Sequence, residues 1–287
     1  MTGFVHPEYL VEADWLEQHL ADPDVVVLDC TVHLLTQPSG PYVIKVGREE
    51  FEKGHIAGAQ FCDVQKDVSD TTAKTNFMRP SASAFSAAMR KYGVNNKTRV
   101  VTYSTANPWW ATRVWWLLRE FGHDNAAVLN GGWQKWSREN RPSETGPGRQ
   151  RLAGTYVATA ERGLMADKAA MKAAMGDGAI CTLNALTPAQ YAGTTYGRPG
   201  QIPGSVQLPA AHLLDPTTNM FLPAEELRRK FESVGAMDRP VLTYCGGGIA
   251  ASADALILTM LGHTDVKIYD ASLSEWSKDE SLPMQVG

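Results

Sequence analysis

The chain carries the same signposts twice, in the same order, and that repetition constrains its fold more than any single motif. One segment reads RVVTYS from Arg99, then TRVWWLLREFGH, then AAVLNGGWQKW; the other reads RPVLTYC from Arg239, then ASADALILTMLGH, then DVKIYDASLSEW. Gly122 stands 8 residues before Asn130, as Gly262 does before Asp270, and each is followed by a tryptophan 6 residues on, Trp136 and Trp276. Upstream, EFEKGHIAGA around His55 answers GRPGQIPGS around Gln201, and VVVLDC answers AICTLN. Short apolar runs bounded by turn residues read as buried strands, and they alternate with amphipathic helices. That alternation predicts an α/β fold built from two copies of a parallel sheet covered by helices on both faces. Gly122 and Gly262 fall where helix C′ glycines are expected.

With 287 residues, two domains suit the chain. The segment after Trp136, running through RPSETGPGRQRLAG, is polar, rich in Pro and Gly and without apolar periodicity, as a connector would be. We expect domains over 1–140 and 155–287, joined by a linker over 141–154. Composition excludes several classes of function. Apolar residues at 44% and charged residues at 20% suit a globular core, and a net charge of −4 without long like-charge runs offers no footprint for nucleic acid or an anionic membrane. No secretory leader or membrane span is evident, so a soluble, cytoplasmic protein is expected. Cys30, Cys62, Cys181 and Cys245 form no CxxC pair, and the seven histidines show no metal-binding spacing, so neither a disulfide framework nor a metal site is expected.

The two copies differ most where chemistry is expected. After the VLTY strand the second copy has Cys245 followed by GGGIAAS and a helix; at that position the first copy has Ser104. A cysteine at the C-terminal mouth of a parallel strand lies where such sheets bind ligands. The glycines let the loop curl its N–H groups inward, and the helix that follows adds its positive end. Such surroundings favour a nucleophilic thiolate. The other three cysteines, ending or flanking apolar strands without a glycine loop, read as structural. Two other chemistries compete for this loop. A cysteine phosphatase needs an arginine about six positions on, and that position is Ala251. A dinucleotide site is suggested by Gly246, Gly248 and Ala251, which spell G-x-G-x-x-A, with Asp270 ending the next strand; yet too little chain follows Asp270 for the second half of such a fold.

Taken together, GHIAGAQFCD, RVWWLLREFGH, VLNGGWQKW, RPGQIPGS, CGGGIAA and KIYDASLSEW resemble the tandem-domain sulfurtransferases of the rhodanese superfamily over nearly the whole chain. The resemblance implies two rhodanese-like domains, of which the second carries the catalytic Cys245. It implies that Cys245 takes a sulfane sulfur from a small donor such as thiosulfate or 3-mercaptopyruvate. The resulting persulfide would pass that sulfur to a thiol or cyanide, with no cofactor and no metal. The backbone of Gly246, Gly247, Gly248, Ile249 and Ala250 would cradle the extra sulfur, and His55 and Arg198 match positions at the family's substrate cleft. The pattern also departs from the family. Basic residues do not follow the cysteine, Ala250 stands where a loop threonine is usual, and Asn184-Ala185-Leu186 replaces a D-A-R pattern whose arginine would hold an anion. Two further readings stay open: a non-enzymatic persulfide carrier docking a protein sulfur acceptor, and the dinucleotide-binding oxidoreductase.

Overall fold

Two five-stranded sheets, every neighbouring pair parallel, form the framework of the computed structural model, which describes residues 3–35, 37 and 42–286. In the first sheet the spatial order is Leu10–Val11, Ala126–Leu129, Arg99–Tyr103, Val25–Asp29, Gln60–Phe61. The second repeats it with Met165–Ala166, Val266–Tyr269, Val241–Tyr244, Cys181–Asn184, Val206–Gln207. The duplication seen in the sequence is thus a duplication of topology. Val25–Asp29 and Val241–Tyr244 are buried at every position, as unbroken apolar runs require when helices cover both sheet faces.

One pairing shows how the repeated motifs lock together. The hydroxyls of Tyr103 and Tyr244, each ending the central strand of its copy, accept the backbone N–H of Ile56 and Ile202 respectively, at 3.4 and 3.0 Å. The strand end and the G-x-I-x-G turn are therefore one unit, which is why both recur. The positive φ of Gly122 and Gly262, +82° and +93°, confirms them as the left-handed residues that close their helices.

The Pro- and Gly-rich connection does not run free. Ser143–Glu144 pairs antiparallel with His55–Ile56. Beyond it, Gly146, Arg149, Gly154, Tyr156, Thr159 and Arg162 donate backbone N–H groups to carbonyls of Glu52, Ala59, Arg90, Val94, Phe121 and Glu120. The segment is a strap laid over the first copy before the chain enters the second sheet at Met165.

The two copies meet through the helices Trp109–Glu120 and Ala251–Met260, and the latter is buried at all its residues. Thr112 and Ser252, each 10 residues before its helix-closing glycine, touch one another with their hydroxyls 2.6 Å apart. Beside them, Arg113 reaches across to the second copy. Its Nη2 donates to Asp270 Oδ1 at 2.6 Å and to the carbonyl of Phe77 at 2.6 Å, and its Nη1 to the carbonyl of Gly248 at 3.4 Å. Asp270 completes its partners by accepting the N–H of Arg79 at 2.7 Å.

Candidate active site

Cys245 follows directly on the strand Val241–Tyr244, and Gly246 to Ala250 curl from it into the N-terminus of Ala251–Met260. The loop is held from behind by Ser272. Its Oγ accepts the N–H groups of Cys245 and Gly248, both at 3.1 Å, and donates to the carbonyl of Tyr269 at 2.7 Å. Ser274 fastens the next carbonyl, donating to Gly246 O through its N–H at 2.8 Å and its Oγ at 2.6 Å. Among the described residues no acceptor is found for the N–H groups of Gly246, Gly247, Ile249 and Ala250. These are the donors left for a ligand, next to the positive end of a ten-residue helix. Gly248 departs from expectation. Its N–H is spent on Ser272, and at φ +73° a Cβ would lie 2.6 Å from Asp270 O, so its part is to turn the chain.

Ser272 was not singled out by the sequence, though comparison of the repeats carries its signal. It takes the place of Gly132 in the first copy, and both sit at φ +51°. A serine in that conformation is uncommon and strained, and it persists where surrounding contacts over-determine it. Here three hydrogen bonds do so. Ser272→Ala is expected to leave two buried N–H groups without an acceptor, costing about 1–3 kcal/mol. Alkylation of the Cys245 thiol by a small reagent should slow about tenfold, each kcal/mol of misplacement being worth several-fold in rate. Ser272→Gly, which relieves the backbone strain, should recover melting temperature but not the alkylation rate.

Cys245 is 2% exposed, yet it lines a cavity of about 300 Å³ between the two copies. The opposing walls come from the first copy, with Val32 to Leu35, Tyr42, Phe77, Asn107, Trp109 and Trp110, and from Leu186, Gln190, Thr195 and Tyr196 of the second. Tyr196 lies against the loop so closely that a Cβ on Gly246 would fall 2.1 Å from its ring, so Gly246 is glycine to admit an aromatic neighbour. Burial, and after it the nearness of Cys245, pushes the Tyr196 phenol up; burial does the same to Tyr42. Both are therefore neutral hydroxyls at physiological pH. Deeper wall residues such as Tyr42, Phe77 and Tyr196 escaped the sequence reading because they come from separate loops with no shared spacing.

Cys30, Cys62 and Cys181 are buried and line none of the cavities described, in keeping with a structural role. Burial pushes the thiols of Cys30 and Cys181 up, away from the reactive thiolate.

His55 and Arg198, expected at the cleft, are placed elsewhere. His55 is wholly buried, stacked on Phe51 at 3.8 Å with Nδ1 2.7 Å from the Phe51 carbonyl, and it does not line the cavity. Arg198 donates to three carbonyls, those of Ser277, Asp279 and Leu282, at 2.7–2.9 Å, fastening the C-terminal segment. The dinucleotide reading also fails on geometry. Asp270, which would have to face a ribose, is sealed in its ion pair with Arg113, and the Tyr196 ring covers Gly246.

Comparisons with known proteins agree with this architecture. The rhodanese-like domain model matches twice, over residues 12–139 and 168–279. The sulfur carrier protein TtuD of Thermus thermophilus is 32% identical, the match covering 99% of each chain, and the 3-mercaptopyruvate sulfurtransferase of Escherichia coli is 29% identical over 96% of this chain and 98% of its own. The crystal structure of SseA from Escherichia coli superimposes with a TM-score of 0.82 at 28% identity, covering 92% of this chain and 98% of that one. Two matched modules, full-length relatives at about 30% identity and the repeated parallel sheets together establish that the chain belongs to the rhodanese-like domain family, as a two-module member.

Proposed function

We propose that this protein is a sulfurtransferase in which Cys245 accepts a sulfane sulfur from a small donor and passes it to a thiophilic acceptor such as cyanide or a thiol. The observation that carries this reading is that Cys245 lines a cavity at a loop where, among the described residues, the N–H groups of Gly246, Gly247, Ile249 and Ala250 meet no acceptor. The Cys245 thiolate attacks the outer sulfur of the donor; a new S–S bond forms as the donor's bond to that sulfur breaks, and the leaving group departs with the electron pair. Backbone donors left without a partner, beside a helix N-terminus, would stabilise the persulfide anion without a metal or organic cofactor. In this scheme residues 1–140 form the module without the nucleophile, the connection expected over 141–154 continues as the strap to Met165, and the remainder of 155–287 is the catalytic module. Four free thiols suit a reducing compartment such as the cytoplasm, and among the described residues no helix is long and apolar enough to cross a membrane.

Relatives bear names that point to two donors, thiosulfate and 3-mercaptopyruvate. A donor panel with cyanide, read as thiocyanate, tests the proposal: turnover supports it, and absence of both turnover and a one-sulfur mass gain on Cys245 refutes it. A second reading is favoured by the likeness to TtuD, named a sulfur carrier protein. In that case Cys245 holds the persulfide for a protein acceptor, and slow turnover would accompany a stable mass gain of one sulfur atom.

A further inference from the structure

We propose that the Tyr196 hydroxyl is the side-chain donor that stabilises the anionic sulfur of Cys245, first the thiolate and then the persulfide made from it, and that Tyr42 of the first copy positions it. This inference rests on the sulfur-transfer reading above and adds a hydrogen-bonding residue to it.

The loop by itself offers backbone N–H groups and no side-chain donor, since Cys245 is followed by three glycines, an isoleucine and two alanines. Ser252, the first hydroxyl beyond them, is spent on the carbonyls of Ile249 and Trp109. A hydroxyl for the sulfur must therefore come from another segment, and Tyr196 brings one. Its phenol end lies over the residue next to the cysteine: a Cβ on Gly246 would fall 2.1 and 2.2 Å from Cε1 and Cζ and 2.7 Å from the hydroxyl oxygen. Tyr196 and Cys245 line the same cavity. Burial, and after it the nearness of Cys245, pushes the phenol up, so it stays protonated and can donate. Tyr42 stands edge-on to the Tyr196 ring, centroids 6.3 Å apart and planes at 63°, an arrangement that favours one orientation of the phenol. The copy without a nucleophile thus contributes a wall that steadies the donor.

Few other titratable groups surround the thiol. His33, in the cavity wall, has its Nε2 2.7 Å from Glu50. Behind the loop, Arg113 and Asp270 hold one another, and Glu275 accepts the Tyr269 hydroxyl at 2.7 Å. Asp254, in the helix that follows the loop, is wholly buried, and burial holds its carboxyl toward the neutral form. A hydrogen bond to a thiolate favours the charged sulfur and lowers the thiol pKa. Tyr196 makes and breaks no covalent bond and moves no proton; it sets a fixed dipole where negative charge resides.

Tyr196→Phe keeps the ring and deletes the hydroxyl. Alkylation of Cys245 by iodoacetamide is followed across pH in the full chain by intact mass, with Cys245→Ser as the blank. The midpoint of the rate profile is expected to rise by about one pH unit, leaving about tenfold less thiolate at neutral pH. The plateau rate at high pH and the melting temperature should stay as they are, because access to the sulfur and the packing of the ring are retained. Tyr42→Leu, which removes the supporting ring, should move the midpoint the same way by a smaller amount, and Tyr42→Phe should leave it in place. A midpoint that Tyr196→Phe does not move overturns the inference, whatever happens to the plateau. A shift in Tyr42→Phe as large as that in Tyr196→Phe overturns the division of roles. Loading of the unaltered protein by thiosulfate and 3-mercaptopyruvate is a separate reading: if neither adds sulfur to Cys245, sulfur transfer from these donors falls, while the alkylation midpoint still decides the role of Tyr196 at the thiolate.

Discussion

Cys245→Ser is expected to lower thiocyanate formation from every donor by roughly a thousandfold or more, the scale seen when a covalent nucleophile is removed, with almost no change in melting temperature. A serine oxygen cannot hold a sulfane sulfur as a persulfide, and among the described residues no other thiol lines the cavity. Cys30, Cys62 and Cys181 are buried in apolar surroundings and line no part of the cavity. The first copy carries a serine at the matching place, where Ser104 follows the equivalent strand and donates its hydroxyl to the carbonyl of Asn107. Donor-panel assays combined with intact mass decide the matter. Transfer that survived in the variant would point to a second sulfur carrier, with Cys62 next to be substituted.

Arg113→Met should be the most destabilising single change at the seam between the copies. The guanidinium is 1% exposed and its removal strands the Asp270 carboxylate, 7% exposed, with the N–H of Arg79 as its remaining partner. Breaking a buried ion pair from one side costs about 3–5 kcal/mol, which for a chain of this size lowers the melting temperature by of order 10 °C. Changing both partners, Arg113→Met with Asp270→Leu, should recover much of that loss, since a well-packed apolar replacement of a buried pair is close to neutral. Activity should not return with it, because the Gly248 carbonyl, and with it the turn that shapes the cysteine loop, would still lack its donor. Calorimetry and loading kinetics on the single and double variants separate the two effects.

Features that lie within one stretch of sequence were legible before any coordinates. The repeated strands, the glycine-closed helices and the Cys245 loop each depend on residues a few positions apart, and short-range spacing records such geometry directly. His55 and Arg198 show where that reasoning stops. Each occupies a position matched by motif, yet what a side chain does depends on which atoms it meets, and those come from Phe51 in one case and from residues 277–282 in the other. Ser272 lay within reach of a residue-by-residue comparison of the repeats, as a serine in a glycine's conformation. Tyr42, Phe77, Tyr196 and Arg113 did not, since they converge on the cysteine loop from four separate segments that only the folded chain brings together.

The meeting of Thr112 with Ser252 has a consequence for how the halves cohere. A residue facing its own counterpart is the geometry of an isologous dimer, here with the partner supplied on the same polypeptide. Covalent tethering replaces dilution-sensitive association by a fixed, high local concentration. The junction is thereby freed from having to be greasy enough to assemble from solution, and it can hold hydroxyls and an ion pair at its centre, where orientation of the neighbouring thiol matters more than adhesion.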